Sequence, residues 1–230
     1  MNILTIDTSA SLQIITIRKE QSNYSFSWEA GLTHTTTLMD KIDSALKECS
    51  LSPEEIDLFG AGMGPGSFTG IRIAASTIRM FAQVLRKPAA MAETHRLYAE
   101  GSGIYDGSLI VSFDAKKNRV FGALYSFSKG LLSEIISPGD YSMEYLINEY
   151  DGNSVLHFVG DGYLKYNDMV KKLAPDHIFH EKFIPEASAI NSHIENIYLK
   201  DRTACMDFNK IIPFYRRKSD AEVLMEKNKE

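Results

Sequence analysis

The sequence predicts an α/β protein made of two successive units. The first part of the chain has the pattern of three strands followed by a helix, a strand and a helix, and a second β-rich series begins after Pro88. Such changes between strand-like and helix-like periods are typical of α/β proteins. With 230 residues, 44% of them hydrophobic, the chain can form one large or two small cores. We place the units at residues 1–90 and 91–230, the second ending in a charged tail.

Three strands and a helix open the first unit. The strands are predicted at Asn2–Asp7, Gln13–Arg18 and Tyr24–Glu29, from an apolar run, an Ile/Thr-rich segment and an alternation of aromatic residues with serine. A helical period follows over Thr35–Glu48, and its apolar positions are Leu38, Ile42, Ala45 and Leu46. A short helical turn is predicted at residues 52–55, where proline occupies the first helical position.

A glycine-rich turn then joins a strand to the longest predicted helix. The strand is Leu58–Met63, the turn reads Gly-Met-Gly-Pro-Gly-Ser-Phe-Thr-Gly over residues 62–70, and the helix covers Thr69–Leu85. Ser67 or Thr69 can cap the first turn of the helix, whose free N–H groups can also hold an anion.

The spacing of this turn does not fit the common phosphate-binding loops. A P-loop needs a lysine that is missing here, and a dinucleotide fingerprint needs a glycine where Thr69 stands. A nucleophile elbow around Ser67 fails because Pro65 replaces a required glycine. The alternative is a tight connection that lets the helix pack closely, and both interpretations stay open.

The second unit is predicted to contain a hairpin, further strands and four helices. The predicted strands are Ala89–Met91, Ser108–Phe113, Val120–Phe127, Leu131–Ile136, Val155–Val159 and Ile211–Tyr215. The predicted helices are one capped by Thr94 and ending near Gly101, then Met143–Glu149, Tyr163–Leu173 and Ala187–Leu199.

Composition restricts the classes of function. The formal net charge is −5 and the pI is about 5.7, which disfavours unassisted binding to nucleic acid. Cys49 and Cys205 form no disulfide framework, and the sequence shows no signal peptide and no membrane span. We therefore expect a cytoplasmic protein without a membrane role.

Several residues are candidates for a reduced nucleotide site. Asp7, Thr8 and Ser9 follow the first strand at a turn that holds phosphate and metal in actin-like ATPases and sugar kinases; the alternative is an ordinary Asp turn. The matching positions in the second unit are Asp114, in the predicted hairpin turn, and the glycines Gly160 and Gly162. Lys116 occupies a position where phosphate approach favours glycine, so the predicted site is degenerate.

No catalytic or metal-ligating constellation emerges from the remaining residues. The six histidines lack the spacing of known metal motifs, and neither cysteine has a cationic neighbour. We therefore predict no catalytic residue and no metal site. Arg216, Arg217 and Lys218 form a basic cluster that either is solvated or contacts RNA held by a partner.

Three segments together point to one family. They are Ile-Leu-Thr-Ile-Asp-Thr-Ser at residues 3–9, Gly-Pro-Gly-Ser-Phe-Thr-Gly-Ile-Arg-Ile at 64–73, and Pro-Phe-Tyr-Arg-Arg at 213–217; Asp-Ala-Lys-Lys at 114–117 is a looser fourth. The chain resembles the TsaB, or YeaZ-type, family of bacterial tRNA threonylcarbamoyladenosine proteins over nearly its whole length. The resemblance implies the two-lobed actin-like/Hsp70-like ATPase (ASKHA) fold, with mixed sheets flanked by helices.

The resemblance also implies a role. TsaB-type proteins are non-catalytic partners of the TsaD-type transferase, which moves a threonylcarbamoyl group to adenosine-37 of tRNAs reading ANN codons, and a TsaE-type ATPase joins them. This chain is then expected to have no cofactor of its own, because ATP and metal belong to the partners, and to meet tRNA only in the complex. The alternatives left open are an active actin-fold ATPase or kinase and, least favoured, a protease.

The two helices of the first unit are expected to form the partner surface and, without a partner, a homodimer. The residues assigned to this surface are Leu38, Ile42, Leu46, Gly70, Arg72, Ala74 and Ile78. Ala74, Ser76 and Met80 stand where the family commonly has glycine, so the contact with the partner is expected to be repacked around Met80.

Overall fold

The computed structural model describes residues 1–29 and 34–213, with only the backbone described at residues 34–37. This part of the chain forms two five-stranded sheets. The strands are β1 (Ile3–Asp7), β2 (Leu12–Lys19), β3 (Ser22–Glu29), β4 (Leu58–Gly62), β5 (Ala89–Ala92), β6 (Gly107–Asp114), β7 (Val120–Ser128), β8 (Leu131–Tyr141), β9 (Leu156–Val159) and β10 (Ile178–Phe179). The α-helices are α1 (His34–Glu48), α2 (Phe68–Leu85), α3 (Thr94–Glu100), α4 (Met143–Asn148), α5 (Gly162–Leu173), α6 (Ala187–Lys200) and α7 (Arg202–Cys205).

Both sheets are mixed and have the same arrangement. The first has the order β3-β2-β1-β4-β5 and the second β10-β9-β6-β7-β8. In each, an antiparallel meander is extended by two parallel strands. This repeated arrangement confirms the prediction of two successive α/β units with mixed sheets flanked by helices.

Three helical layers cover the faces of the two sheets. In the first sheet, Leu4 packs in one core with α1 and α2, whereas the adjacent Ile3 packs in another with α3 and α6, because side chains alternate along a strand. In the second sheet, Val111 joins the core around α3 and α6, and Ile110 packs with α4 and α5. The layer of α3 and α6 therefore lies between the sheets and joins them through a shared core.

Two elements lie across the predicted division at residues 90 and 91. Strand β5 spans it and belongs to the first sheet, and α6 contacts the first sheet, with the buried Ile194 packed closely over Gly60 of β4. Its buried Asn191 accepts hydrogen bonds from Thr5 Oγ1 at 3.3 Å and Thr16 Oγ1 at 2.9 Å. The end of the second unit is therefore part of the first lobe, because β1, β2 and β4 leave an apolar face that this helix covers.

Most predicted elements are confirmed, and several details are wrong. Ile211–Pro213 is irregular instead of the start of a strand, because Ile211 packs into the core beneath α2; Phe214 and Tyr215 lie outside the described residues. β8 continues well beyond Ile136, and the two-residue β10 was missed because its apolar segment is so short. Glu93, not Thr94, precedes the first residue of α3 at the N-cap position.

Candidate functional site

The turn after β1, where a nucleotide site was predicted, is closed by its own hydrogen bonds. Asp7, Thr8 and Ser9 are all buried. Asp7 Oδ1 accepts from the Ser9 backbone N–H at 2.8 Å and from Ser9 Oγ at 2.6 Å. Because the single Ser9 hydroxyl proton is given to Asp7, Thr94 must donate to Ser9 Oγ, 2.8 Å away. Thr94 Oγ1 in turn accepts from the Gly64 N–H at 3.0 Å.

The glycine-rich loop occupies the space in front of this turn. The Ser67 N–H donates to Ser9 O at 2.7 Å, and Thr8 Oγ1 donates to Gly70 O at 2.6 Å. A Cβ atom at Gly66 would overlap the carbonyl group of Ser9, and one at Gly70 would overlap that of Thr8. Glycine is thus needed for close packing of the loop on the turn, which favours the structural interpretation of this motif.

Ser67 is the N-cap of α2. It was one of the two residues predicted for this position. Its side chain accepts a hydrogen bond from the Gly70 N–H at 3.2 Å, while Thr69 lies within the helix. The N-terminus of α2 therefore packs against the chain's own first turn.

The electrostatic environment of Asp7 favours the neutral form of its carboxyl group. Burial raises the pKa of Asp7, and the hydrogen bonds from the Ser9 hydroxyl and backbone N–H oppose this effect only in part. Asp7 Oδ2 is buried without a hydrogen-bond partner in the described residues, and it packs on Gly62, where a Cβ atom would overlap it. One carboxylate oxygen of Asp7 thus holds the turn, and the other packs on the backbone of β4.

Aromatic side chains from α3 and β6 fill the space beside the turn. Tyr98 is fully buried, and its hydroxyl donates to Leu12 O at 3.5 Å, which links α3 to the first hairpin. Phe113 packs edge-on against both Tyr98 and His95, with ring centroids 5.0 Å and 4.9 Å away. These contacts link α3 to the first hairpin and to β6.

His95 is a buried, neutral member of this cluster. Its Nε2 lies 2.9 Å from Phe121 O, and because a carbonyl oxygen only accepts, Nε2 carries the proton. Burial lowers the pKa of His95 to about 4, although the bond to Phe121 opposes the shift. The ring therefore belongs to the core.

The second hairpin turn is exposed and held by ion pairs. Lys116 donates to Asp114 through its backbone N–H at 2.9 Å and its Nζ at 2.8 Å, and Lys165 Nζ lies 3.4 Å from the same carboxylate. Partial burial by itself would raise the pKa of Asp114, but the hydrogen bonds and charge of Lys116, with the charge of Lys165, lower it overall. The negative charge of Asp114 is thus balanced by Lys116 in its own turn and by Lys165 of α5.

The two predicted glycines of the second unit support packing between β6 and α5. Gly160 has a φ of 94°, and a Cβ atom there would overlap the carbonyl of Ser112. A Cβ atom at Gly162 would stand 2.8 Å from Ser112 Oγ. Between them, Asp161 Oδ1 accepts from the Asp114 N–H at 2.9 Å. The structure thus brings Asp114, Gly160 and Gly162 together. The hairpin turn after Asp114 is exposed, whereas the Asp7 turn is buried.

Most residues predicted for the partner surface are buried, which is a correction. They belong to the core beneath α1 and α2 because they form the apolar stripes that face the first sheet: Leu38, Ile42, Leu46, Ala74 and Ile78. Gly70 is also buried, against Thr8. Arg72 is exposed, with its guanidinium 3.8 Å from the Phe68 ring centroid.

The exposed faces of α1 and α2 carry other apolar side chains. On α2, residues 72, 76, 80 and 84 share one ridge at four-residue spacing, and Met80 and Val84 are 42% and 74% exposed. Met39 of α1 is 43% exposed. Of the family-glycine positions, Ser76 and Met80 face outward, whereas Ala74 faces the core.

Comparison with known proteins decides the family. The family model of TsaD, tRNA N6-adenosine threonylcarbamoyltransferase, matches residues 28–222. The chain belongs to this family. It is of the TsaB/YeaZ type: it is 24% identical to the tRNA threonylcarbamoyladenosine biosynthesis protein TsaB of Bacillus subtilis over 225 residues, 96% of each chain. It is also 25% identical to TsaB of Escherichia coli over 127 residues, 54% of this chain and 55% of that one.

A solved structure supports the fold of this TsaB-type chain. YeaZ from Pseudomonas aeruginosa superposes with a TM-score of 0.76 and 19% sequence identity, covering 93% of this chain and 99% of that one. The predicted two-lobed α/β fold is confirmed over nearly the whole length.

The remaining site predictions have different outcomes. Arg216, Arg217 and Lys218 lie outside the described residues, so their contact with tRNA stays a prediction. Within residues 1–29 and 34–213, no group of three His, Cys, Asp or Glu side chains could hold a metal ion. The same part of the chain contains no helix with the length and hydrophobicity needed to cross a membrane.

Sequence reasoning missed Thr94 and Tyr98, which close the first turn. Thr94 was predicted only as a helix cap, because it precedes a helical pattern, and Tyr98 was not singled out within that helix. The exposed ridge containing Met80 and Val84 was readable from the four-residue spacing along α2.

Proposed function

We propose that this chain acts in tRNA threonylcarbamoyladenosine biosynthesis as a non-catalytic partner of a TsaD-type transferase. One observation carries the non-catalytic part: Asp7, Thr8 and Ser9 are buried, and the chain's own glycine loop and Thr94 use their polar groups. Phosphoryl chemistry needs preorganised donors and a metal facing an open site. The proposal therefore assigns ATP and metal to partner proteins.

The partner surface is proposed on the outer faces of α1 and α2. Met39, Met80 and Val84 give these faces exposed apolar area beside the Arg72 guanidinium. Aromatic, Met and Arg side chains are enriched at protein interfaces, and a stable heterodimer buries roughly 800 Å² on each partner. Without the transferase, the same apolar faces would pair in a symmetric homodimer.

The remaining partners follow from the proposed role. The substrate would be adenosine-37 of tRNAs reading ANN codons, bound by the assembled complex, with a TsaE-type ATPase joining it in the cytoplasm. Arg216, Arg217 and Lys218 would contact tRNA phosphates there. Their replacement by alanine should flatten the log–log salt dependence of tRNA binding by roughly two to three units. An unchanged slope would indicate that these three residues form an ordinary solvated cluster instead.

Reconstitution with purified components tests the function. Threonylcarbamoyl transfer to tRNA is measured with the cognate transferase, the TsaE-type ATPase and this chain, each omitted in turn. We expect no product from this chain alone and a large loss of product when it is left out. Isolated chain that hydrolyses ATP, with the activity lost in Asp7→Ala, would contradict the non-catalytic role. Full activity without this chain would contradict the pathway assignment.

A further inference from the structure

Two histidines form a direct pair at the edge of the second sheet, outside the site described above. His157 lies on β9, and His180 follows β10. His157 Nδ1 and His180 Nε2 are 2.9 Å apart, and the rings are stacked with centroids 5.2 Å apart and an interplanar angle of 21°. One nitrogen must carry a proton and the other must accept it. If both carried protons, two donors would face each other and the bond would be lost.

This pair secures a weakly held strand. β10 contains only Ile178 and Phe179, paired in parallel with His157 and Phe158. The His180 N–H extends this pairing by donating to Phe158 O at 3.0 Å. Because so few backbone bonds hold this edge, the side-chain bond is a substantial part of its attachment.

The same segment covers the aromatic cluster between the lobes. Phe183 lies next to His180, with ring centroids 6.2 Å apart, and next to the buried Tyr98, with centroids 6.1 Å apart. The chain then reaches Glu186, whose N–H donates to Gly101 O at 2.9 Å, at the beginning of α6. Release of His180 would therefore uncover Tyr98 from the side of Phe183.

The surroundings offer no compensation for positive charge. Burial lowers the pKa of both histidines, and for His157 the charge of His180 adds to the effect. Tyr163 and His177, joined at 2.7 Å, pack against Phe158 on the other face of the sheet. Glu181 and Lys182 follow His180 and are exposed. Within the described residues, no carboxylate bonds to either ring of the pair.

We propose that His157 and His180 form an acid-sensitive latch that holds β10 and residues 180–185 on the second sheet. Above the ordinary histidine range, the N–H···N bond keeps the segment closed. A first proton is accommodated because an imidazolium can donate to a neutral imidazole. A second proton removes the acceptor, places two charges side by side and opens the segment. This property is independent of the proposed role in tRNA modification.

Amide hydrogen exchange of the full chain tests the latch. Exchange is measured at pH 7.5 and 5.5 and corrected for the intrinsic pH dependence of the reaction. The His180 N–H is expected to exchange about tenfold faster at pH 5.5, because the open segment takes up protons more readily than the closed pair. The Gly130 N–H, in the turn between β7 and β8 and bonded to Tyr105 O at 2.7 Å, is the internal control and should keep its rate.

Two variants make the test specific. Glutamine can donate or accept, so His180→Gln satisfies either protonation state of His157 and should abolish the acid response. His193→Gln changes a histidine near Glu100, 3.6 Å away, and should keep the response. Equal corrected rates at the two pH values in the wild type, or an acid response that persists in His180→Gln, would overturn the proposal.

If His180→Gln does not fold, titration of the His157 and His180 rings in the wild type tests the latch instead. At least one ring of the pair should titrate below pH 6.5, in step with exchange at His180. Titration of both rings at or above pH 6.5 would also overturn the latch.

Discussion

The Ser9 and Thr94 hydroxyls lie 2.8 Å apart and join the first hairpin turn to the start of α3. Their hydrogen bonds run in series from the Gly64 N–H through Thr94 and Ser9 to the Asp7 carboxyl. All these groups are buried, so each depends on its neighbour for a partner. This relay holds the glycine loop, the first turn and α3 together where a nucleotide would otherwise need open space.

Loss of the Thr94 hydroxyl should destabilise the fold. Thr94→Val keeps the side-chain shape but leaves the Gly64 N–H and the Ser9 hydroxyl without their partner. We expect a decrease of about 1–3 kcal/mol in the free energy of unfolding, measured by denaturant titration. Thr94→Ser keeps the hydroxyl and serves as the control. Equal stabilities of the Val and Ser variants would contradict the relay.

A side chain at Gly70 should separate the loop from the first turn. In Gly70→Ala the Cβ atom would overlap the Thr8 carbonyl, which is backbone and cannot rotate away. Although alanine favours the helix more than glycine does, the clash should lower the free energy of unfolding by about 1–3 kcal/mol. Gly152→Ala is a steric control because its Cβ atom would meet no atom within 4 Å, although its φ of 72° adds backbone strain. A Gly70→Ala variant as stable as the wild type would refute close packing here.

Acid should weaken the fold through His95. Its pKa is about 4 in the folded chain, compared with an ordinary value of 6.5, so the unfolded chain takes up the proton first. The stabilising contribution is present above pH 6.5 and is lost as the pH falls towards 4. The full loss corresponds to about 3 kcal/mol in the free energy of unfolding.

The His95→Gln variant isolates this effect. Asp7 acts in the opposite direction, because burial raises its pKa and the folded chain therefore binds that proton more tightly. Comparing wild type with His95→Gln cancels the contributions of Asp7 and of the other histidines. The difference in unfolding free energy should change by about 3 kcal/mol between pH 7.5 and 4. A constant difference over this range would show that His95 does not titrate as described.

The sequence was sufficient to predict the helices and strands, but not the long-range contacts between them. Helical and strand periods located nearly every element because they reflect which face of each element is buried. They could not show that Asn191 packs beneath β1 and β2, since that contact joins residues more than a hundred positions apart. For α2, the period identified the apolar stripe with Ile78 and Ala74, but that stripe faces the core, so the partner surface is proposed on the opposite side.

Charges on the outer ridge of α2 should weaken binding of the transferase. Val84 is 74% exposed, so Val84→Asp can fold normally while placing a charge that the proposed heterodimer would bury without a partner. We expect the Kd measured by calorimetry to rise about tenfold or more, and further when Met80→Asp is added. Leu131→Asp is the matched control, because Leu131 is also 74% exposed but lies on β8 of the other sheet. Equal affinities for the Val84→Asp and Leu131→Asp variants, with folding intact, would indicate that α2 is not part of the partner surface.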